Sequence, residues 1–151
     1  PLSWDQSHLL NTTVIIGNPG GTTLGLIGKI STGWPYTPSI PTANYVPEPN
    51  SGRKPIQRNM DLKIERRVSI GSRKVSLFAR VYNLFDIRNA RYVFDDTGSP
   101  KYTYEYRSLQ ETEQFKAHYG EPGIHTWEEY ITRPQYYSSP RSFKIGFSLD
   151  F

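Results

Sequence analysis

Phe94-Asp95-Asp96-Thr97-Gly98-Ser99 holds Asp-Thr-Gly, a sequence that supplies the catalytic carboxylate in aspartic proteases. That reaction needs two carboxylates sharing one proton, so a single copy around Asp96 requires a dimer. The residues after Asp96 argue against this use. Pro100 and a Tyr-rich polar stretch stand where a strand and an apolar-apolar-Gly segment belong, and Val14-Ile15-Ile16-Gly17 lies upstream instead. Asp-Thr-Gly is also an ordinary turn sequence. His118 and His125, with Glu121 between them, carry metal-ligating groups. Their spacing matches neither a helical His pair nor a zinc template, so they read as solvated loop residues. Glu128-Glu129 offers two carboxylates for glycoside hydrolysis. Adjacent residues point apart on a strand and lie about 100° apart on a helix, which makes a poor acid–base pair. His8 reads as an interfacial hydrogen-bonding residue. Asn11-Thr12-Thr13 matches a glycan sequon short enough to arise by chance. No catalytic residue, metal ligand or cofactor is assigned, and the expectation is that the chain is not an enzyme.

With the chemistry this thin, the elements carry the reading. The 151 residues include no cysteine, which removes any disulfide framework or thiolate metal site. The formal charge of +4 is modest, and basic residues interleave with acids, so no nucleic-acid partner is expected. No apolar run approaches the ~18 residues of a membrane helix, which leaves strands as the only spanning element. Aromatics make up 14% of the chain, eleven of them Tyr. The chain opens on Pro1 without a signal peptide, which predicts a piece of a longer product.

Ser142 to Phe151 alternates faultlessly: Phe143, Ile145, Phe147, Leu149 and Phe151 face one way, and Ser142, Lys144, Gly146, Ser148 and Asp150 face the other. Ten residues is about the length of a tilted strand across a bilayer. The same pattern predicts strands over 8–17, 22–34, 59–70 and 74–85. The first is blurred. In the second, Leu24, Leu26, Gly28, Ile30, Thr32 and Trp34 share a face, and Trp34 reads as an interfacial aromatic. In the third, Leu62, Ile64, Val68 and Ile70 oppose Asp61, Lys63, Glu65, Arg67 and Ser69, with Arg66 a blemish on the apolar side. In the fourth, Val75, Leu77, Ala79 and Val81 share a face.

Connections at 18–21 and 71–73 are short, whereas 35–59 and 86–141 are long. Six prolines between Pro35 and Pro55 exclude a helix or a central strand there. In the longer connection Ser108 to Tyr119 predicts a helix, with Ser108 and Glu111 as a capping box. Alternating short turns and long loops is the mark of an outer-membrane barrel. Lys29, Lys63, Glu65, Arg67, Arg80 and Lys144 would then line a watery lumen.

Several segments sharpen this into a resemblance. Trp4-Asp5-Gln6-Ser7-His8-Leu9-Leu10-Asn11, Gly33-Trp34-Pro35-Tyr36-Thr37-Pro38, Val81-Tyr82-Asn83-Leu84-Phe85-Asp86 and the final strand ending on Phe151 come in one order along the chain. Together they resemble the C-terminal barrel of TonB-dependent outer-membrane receptors. The resemblance implies an all-β antiparallel meander of five strands, the last of a 22-stranded barrel. It implies residence in the bacterial outer membrane and uptake of a scarce nutrient, such as a metal chelate or glycan, with inner-membrane energy. Partners would be the lipid bilayer, the plug and remaining strands of the same receptor, TonB through the N-terminal part, and the barrel-assembly machinery. The plug lies outside this sequence, and the 87–141 connection is longer than the pattern expects. Phe151 would be the residue read by the assembly machinery. Tyr45, Tyr102, Tyr104, Tyr106, Trp127 and Tyr130 would be loop aromatics facing the ligand. Two alternatives stand beside this reading: a soluble β-sandwich carbohydrate-binding module using the Tyr-rich loops, and the dimeric aspartic protease.

Overall fold

The computed structural model describes residues 1–18, 20–39, 46–71, 73–104 and 127–150. In chain order the strands are β1 (Leu9–Gly17), β2 (Thr22–Ser31), β3 (Pro35–Tyr36), β4 (Gly52–Arg53), β5 (Gln57–Ile70), β6 (Arg73–Tyr82) and β7 (Ser142–Asp150), with one short helix, α1 (Trp127–Ile131). The chain divides into two compact units. The sheet unit comprises His8–Ser31, Gln57–Arg88 and Ser139–Phe151; the loop unit comprises Pro1–Ser7, Thr32–Ile56 and Asn89–Ser138.

The sheet unit is a five-stranded antiparallel sheet in the order β1-β2-β5-β6-β7. This is the expected meander. Alternation fixes the register, because a one-residue slip would turn every side chain to the opposite face. Val81 pairs with both Leu62 and Phe143, Ala79 with Ile64 and Ile145, and Val75 with Val68 and Leu149. Leu24 and Leu26 extend the same face toward Ile16 and Val14 through β2 and β1. The sheet therefore has one continuous apolar face, and Arg66 lies on it, paired between Thr22 and Leu77. Lys63, Arg80 and Lys144 fall on the other face, opposite one another.

Two strands end earlier than their alternation predicts. β2 stops at Ser31, not Trp34, and β6 stops at Tyr82, not Phe85. The aromatic pattern continues past both, but the backbone cannot. Asn83 has φ 53° and Asp86 φ 52°, left-handed conformations that end a ladder and that Asn and Asp tolerate best. The corner they make is tied down. Asp61 Oδ1 accepts from the Asn83 N–H at 2.9 Å, and the Asn83 amide donates to Ile87 O at 3.1 Å and Ser139 O at 3.2 Å. Ile87 N–H donates back to Asn83 Oδ1 at 2.9 Å, and Arg141 N–H donates to Asp86 Oδ1 at 2.8 Å. At the other end of the sheet Gly17 (φ 134°) starts the turn into β2. A Cβ there would lie 2.2 Å from Thr22 O, so only glycine fits.

The loop unit is largely irregular. It contains a two-residue, two-stranded ladder, β3 with β4, Pro35 opposite Arg53 and Tyr36 opposite Gly52; both are edge strands, compatible with prolines that exclude only a helix or a central strand. A proline needs only a pairing position that does not use its missing N–H, and so short a ladder supplies one. Lys54 N–H donates to Trp34 O at 3.0 Å beside it. Ala90 and Val93 are the buried hydrophobic residues among those described, and both belong to this unit, with Thr103 buried near them in sequence. A 3-10 turn, Pro134–Tyr136, comes after α1. The helix expected over 108–119 lies outside the described residues.

Candidate functional site

Two groups of chemically capable side chains come together, one in each unit. In the loop unit the backbone brings 89–92 alongside 136–138. Ala90 bridges Tyr137, Arg91 N–H donates to Tyr136 O at 2.7 Å, and Ser138 N–H donates to Asn89 O at 2.8 Å. Val93, between Tyr92 and Phe94 in the chain, is buried. Tyr136 packs between those two aromatic neighbours, with ring centres 5.9 Å from Tyr92 and 5.2 Å from Phe94. The Arg133 guanidinium lies 5.4 Å from both the Phe94 and Tyr136 rings. Lys54 Nζ lies 5.6 Å from the Tyr92 ring and donates to Arg91 O at 2.9 Å. The result is an aromatic shelf carrying two cations, with Tyr92 59% exposed. Such a surface stacks on flat or ring-shaped ligands and attracts negative charge.

Tyr102 and Tyr104 form a second pair, edge to face at 6.1 Å, and both are at least half exposed. They are held by the Asp-Thr-Gly turn. Gly98 N–H donates to Phe94 O at 2.8 Å, and Phe94 N–H to Ser99 O at 2.9 Å. Asp96 Oδ2 accepts from the Thr103 hydroxyl at 2.7 Å and from the Tyr104 N–H. The Asp96 carboxylate thus acts as a loop staple, the turn role that its sequence also suggests. Tyr36 packs against this turn, close enough that a Cβ on Gly98 would lie 2.3 Å from its hydroxyl. Burial, then the charges of Asp95 and Asp96, push the Tyr36 pKa up.

Of the other expected loop aromatics, Trp127 and Tyr130 fall on α1. Tyr45 and Tyr106 lie outside the described residues, as do His118, Glu121, His125 and Phe151. Glu128 and Glu129, also on α1, are exposed. Among the described residues no group of His, Asp or Glu side chains gathers to hold a metal. Sequence reasoning missed Lys54, Tyr92, Phe94 and Arg133 as site members. The one available signal was Tyr92-Val93-Phe94, a short aromatic alternation just before the turn.

In the sheet unit the six expected lumen charges all lie on the polar face. Lys29 pairs with Asn59, two residues along the face from Asp61. Lys63 Nζ sits 2.6 Å from Glu65 Oε2, and the Arg67 guanidinium 3.2 Å from Glu65 Oε1. Arg80 lies 5.4 Å from the Phe78 ring and Lys144 Nζ 5.3 Å from the Tyr82 ring. Lys63, Glu65, Arg67, Lys74, Ser76, Phe78, Arg80 and Ser148 border an open cleft of about 520 Å³ on this face.

Comparison with known proteins identifies no relative: no family model, no curated protein and no solved structure matches the chain.

Proposed function

We propose that this chain is a wall segment of an outer-membrane β-barrel, from a receptor of the TonB-dependent type that imports a scarce nutrient. The observation that carries the reading is the bare apolar face. Phe143, Ile145 and Phe147 are 67%, 86% and 68% exposed, and no buried hydrophobic residue among those described belongs to the sheet. Fully burying one such side chain is worth roughly 1.5–3 kcal/mol. A sheet presenting four on β7 alone forgoes several kcal/mol in water and recovers it in hydrocarbon.

Other features agree. β1, β2, β6 and β7 run to nine or ten residues and β5 to fourteen, enough for tilted spans. β1 and β7 each pair on one side only among the described residues, as internal strands of a larger barrel do when seen without their neighbours. The polar, charged face then lines the lumen, and the connections of the loop unit are extracellular, where the aromatic shelf meets ligand. This chain supplies wall and recognition surface; the chemistry of uptake belongs to the energised whole.

The test is fractionation of the full-length product in its own cells, followed by a heat-modifiability gel. The expected result is recovery in the outer membrane, release only by detergent, and a mobility shift on boiling. Recovery as soluble protein without detergent overturns the proposal and favours a sandwich module. Uptake dependence is read separately: cells lacking the inner-membrane energy-coupling protein should lose import.

A further inference from the structure

The polar face of the sheet contains an arrangement that strand pairing alone disfavours. Lys63, Arg80 and Lys144 are directly opposite one another on β5, β6 and β7. Adjacent strands lie about 4.7–4.9 Å apart, so the three backbone positions stand abreast along roughly 10 Å, while the Arg80 and Lys144 heads lean apart toward Phe78 and Tyr82. Like charges directly opposite are destabilising. Relief within the sheet is partial. Glu65 neutralises Lys63, but it is shared with Arg67. Among the described residues no carboxylate pairs with Arg80 or Lys144; these lean on the rings of Phe78 and Tyr82 instead. Lys63 and Arg80 border the cleft together with Lys74, whereas Lys144 leans away toward Tyr82; the cleft floor is Phe78 lying over Gly146, with Ser76 and Ser148 opposite each other beyond it. Gly146 is required there, since a Cβ would lie 2.5 Å from the Phe78 ring.

We propose that Lys63, Lys74 and Arg80, which border the cleft, form a binding site for a small solute carrying two or more carboxylate or phosphate groups. The chemistry comes from the groups present. Several cations around one cleft match the anionic groups of a compact polyanion. A cleft of about 520 Å³ lies in the size range of small-ligand sites. The two Ser hydroxyls add neutral donors, and the Phe78 ring offers an apolar floor. Glu65 shows that a carboxylate seats against this row, and it also competes for it, because it holds Lys63 that the ligand would otherwise engage. The proposal rests on the transporter reading in placing the site on the lumen wall, and it names the substrate class of that transporter as polyanionic.

The test is calorimetric titration of the full-length protein with citrate and, separately, with pyrophosphate at low ionic strength. Binding is expected in both cases and should weaken steeply with added NaCl. Lost charge-assisted contacts cost about 1.5–3 kcal/mol each, so Arg80→Gln with Lys74→Gln should weaken affinity by well over about tenfold. Lys29→Gln, which lies outside the cleft, should leave it unchanged. Glu65→Gln should tighten binding by freeing Lys63. Wild-type protein that binds neither anion overturns the proposal, as does a double variant that binds as well as wild type. A rise in thermal stability of Arg80→Gln without anion binding in wild type identifies the row as unoccupied and repulsive. Binding that appears only after an acidic segment of the protein is removed assigns the row to that segment instead. If the transporter reading fails, the protein fractionates as soluble while these titrations still read out the site.

Discussion

Asn83 is the most exacting position in the sheet unit. It is 7% exposed, holds φ 53° and makes three hydrogen bonds through its side chain. One of these reaches Ser139, so a single amide fastens the end of β6 to the approach to β7 across 56 residues. Three substitutions separate the contributions. Asn83→Gly keeps the backbone conformation and loses three bonds at about 0.5–1.5 kcal/mol each. Asn83→Ala loses the same bonds and adds the left-handed cost of about 1–2 kcal/mol. Asn83→Asp keeps the acceptor for Ile87 N–H but turns the two donor positions into oxygen facing carbonyl oxygen. Equilibrium urea unfolding of the full-length protein in detergent micelles should therefore rank wild type above Gly and Gly above Ala. The total loss for Ala should be roughly 3–6 kcal/mol, with about 1 kcal/mol or more separating Gly from Ala. Losses within about 0.5 kcal/mol of wild type for all three, the range of ordinary surface substitutions, would refute the reasoning. Equal losses for Gly and Ala would refute the backbone part alone.

Other positions carry expectations of their own. Gly33→Ala places a Cβ 1.9 Å from Lys54 O, a backbone atom that cannot yield without opening the β3–β4 pairing; limited proteolysis should show faster cleavage within 32–56. Tyr36 has a raised pKa, so its protonated form is favoured on folding; that contribution is complete below about pH 10 and is lost as pH rises through the folded value. Phenolate absorbance should thus show Tyr36→Phe removing a component above the ordinary Tyr value of about 10, and removal of a component below it would contradict the burial argument. Ile145→Lys, at an 86% exposed position, should cost about 2–4 kcal/mol if that position lies near the bilayer midplane, measured as lost folded barrel, whereas a water-facing position would tolerate it.

How much of this the sequence carries depends on the range of each interaction. The sheet was legible because alternation is local: Phe143 to Leu149 fixes its faces without knowing its partners, and Val75 to Val81 does the same. Arg66 could be placed on the apolar side for the same reason. The strand ends were less legible. Trp34 and Phe85 continue an apolar rhythm, but Gly33 and Asn83 obey backbone constraints set by Lys54 O and by Asp61, both distant in sequence. The aromatic shelf was the least legible element. Tyr92 and Phe94 meet Arg133 and Tyr136 across some forty residues, and no periodicity links the two segments. The cation row is intermediate: its face could be read from alternation, but the abreast arrangement of Lys63, Arg80 and Lys144 needed the register.

The central claim is that one face of this sheet meets lipid. Nitroxide labels placed one at a time at positions 143 to 148 of the full-length protein, reconstituted in lipid, test it directly through collision with oxygen and with a polar nickel chelate. Oxygen concentrates in hydrocarbon and the chelate stays in water. The account predicts labels at Phe143, Ile145 and Phe147 that meet oxygen and exclude the chelate, alternating with Lys144, Gly146 and Ser148 that do not share the oxygen-rich signature. Labels at 145 and 147 shielded from both reagents would mean a second protein layer, and labels there open to the chelate would mean water; either result contradicts the account.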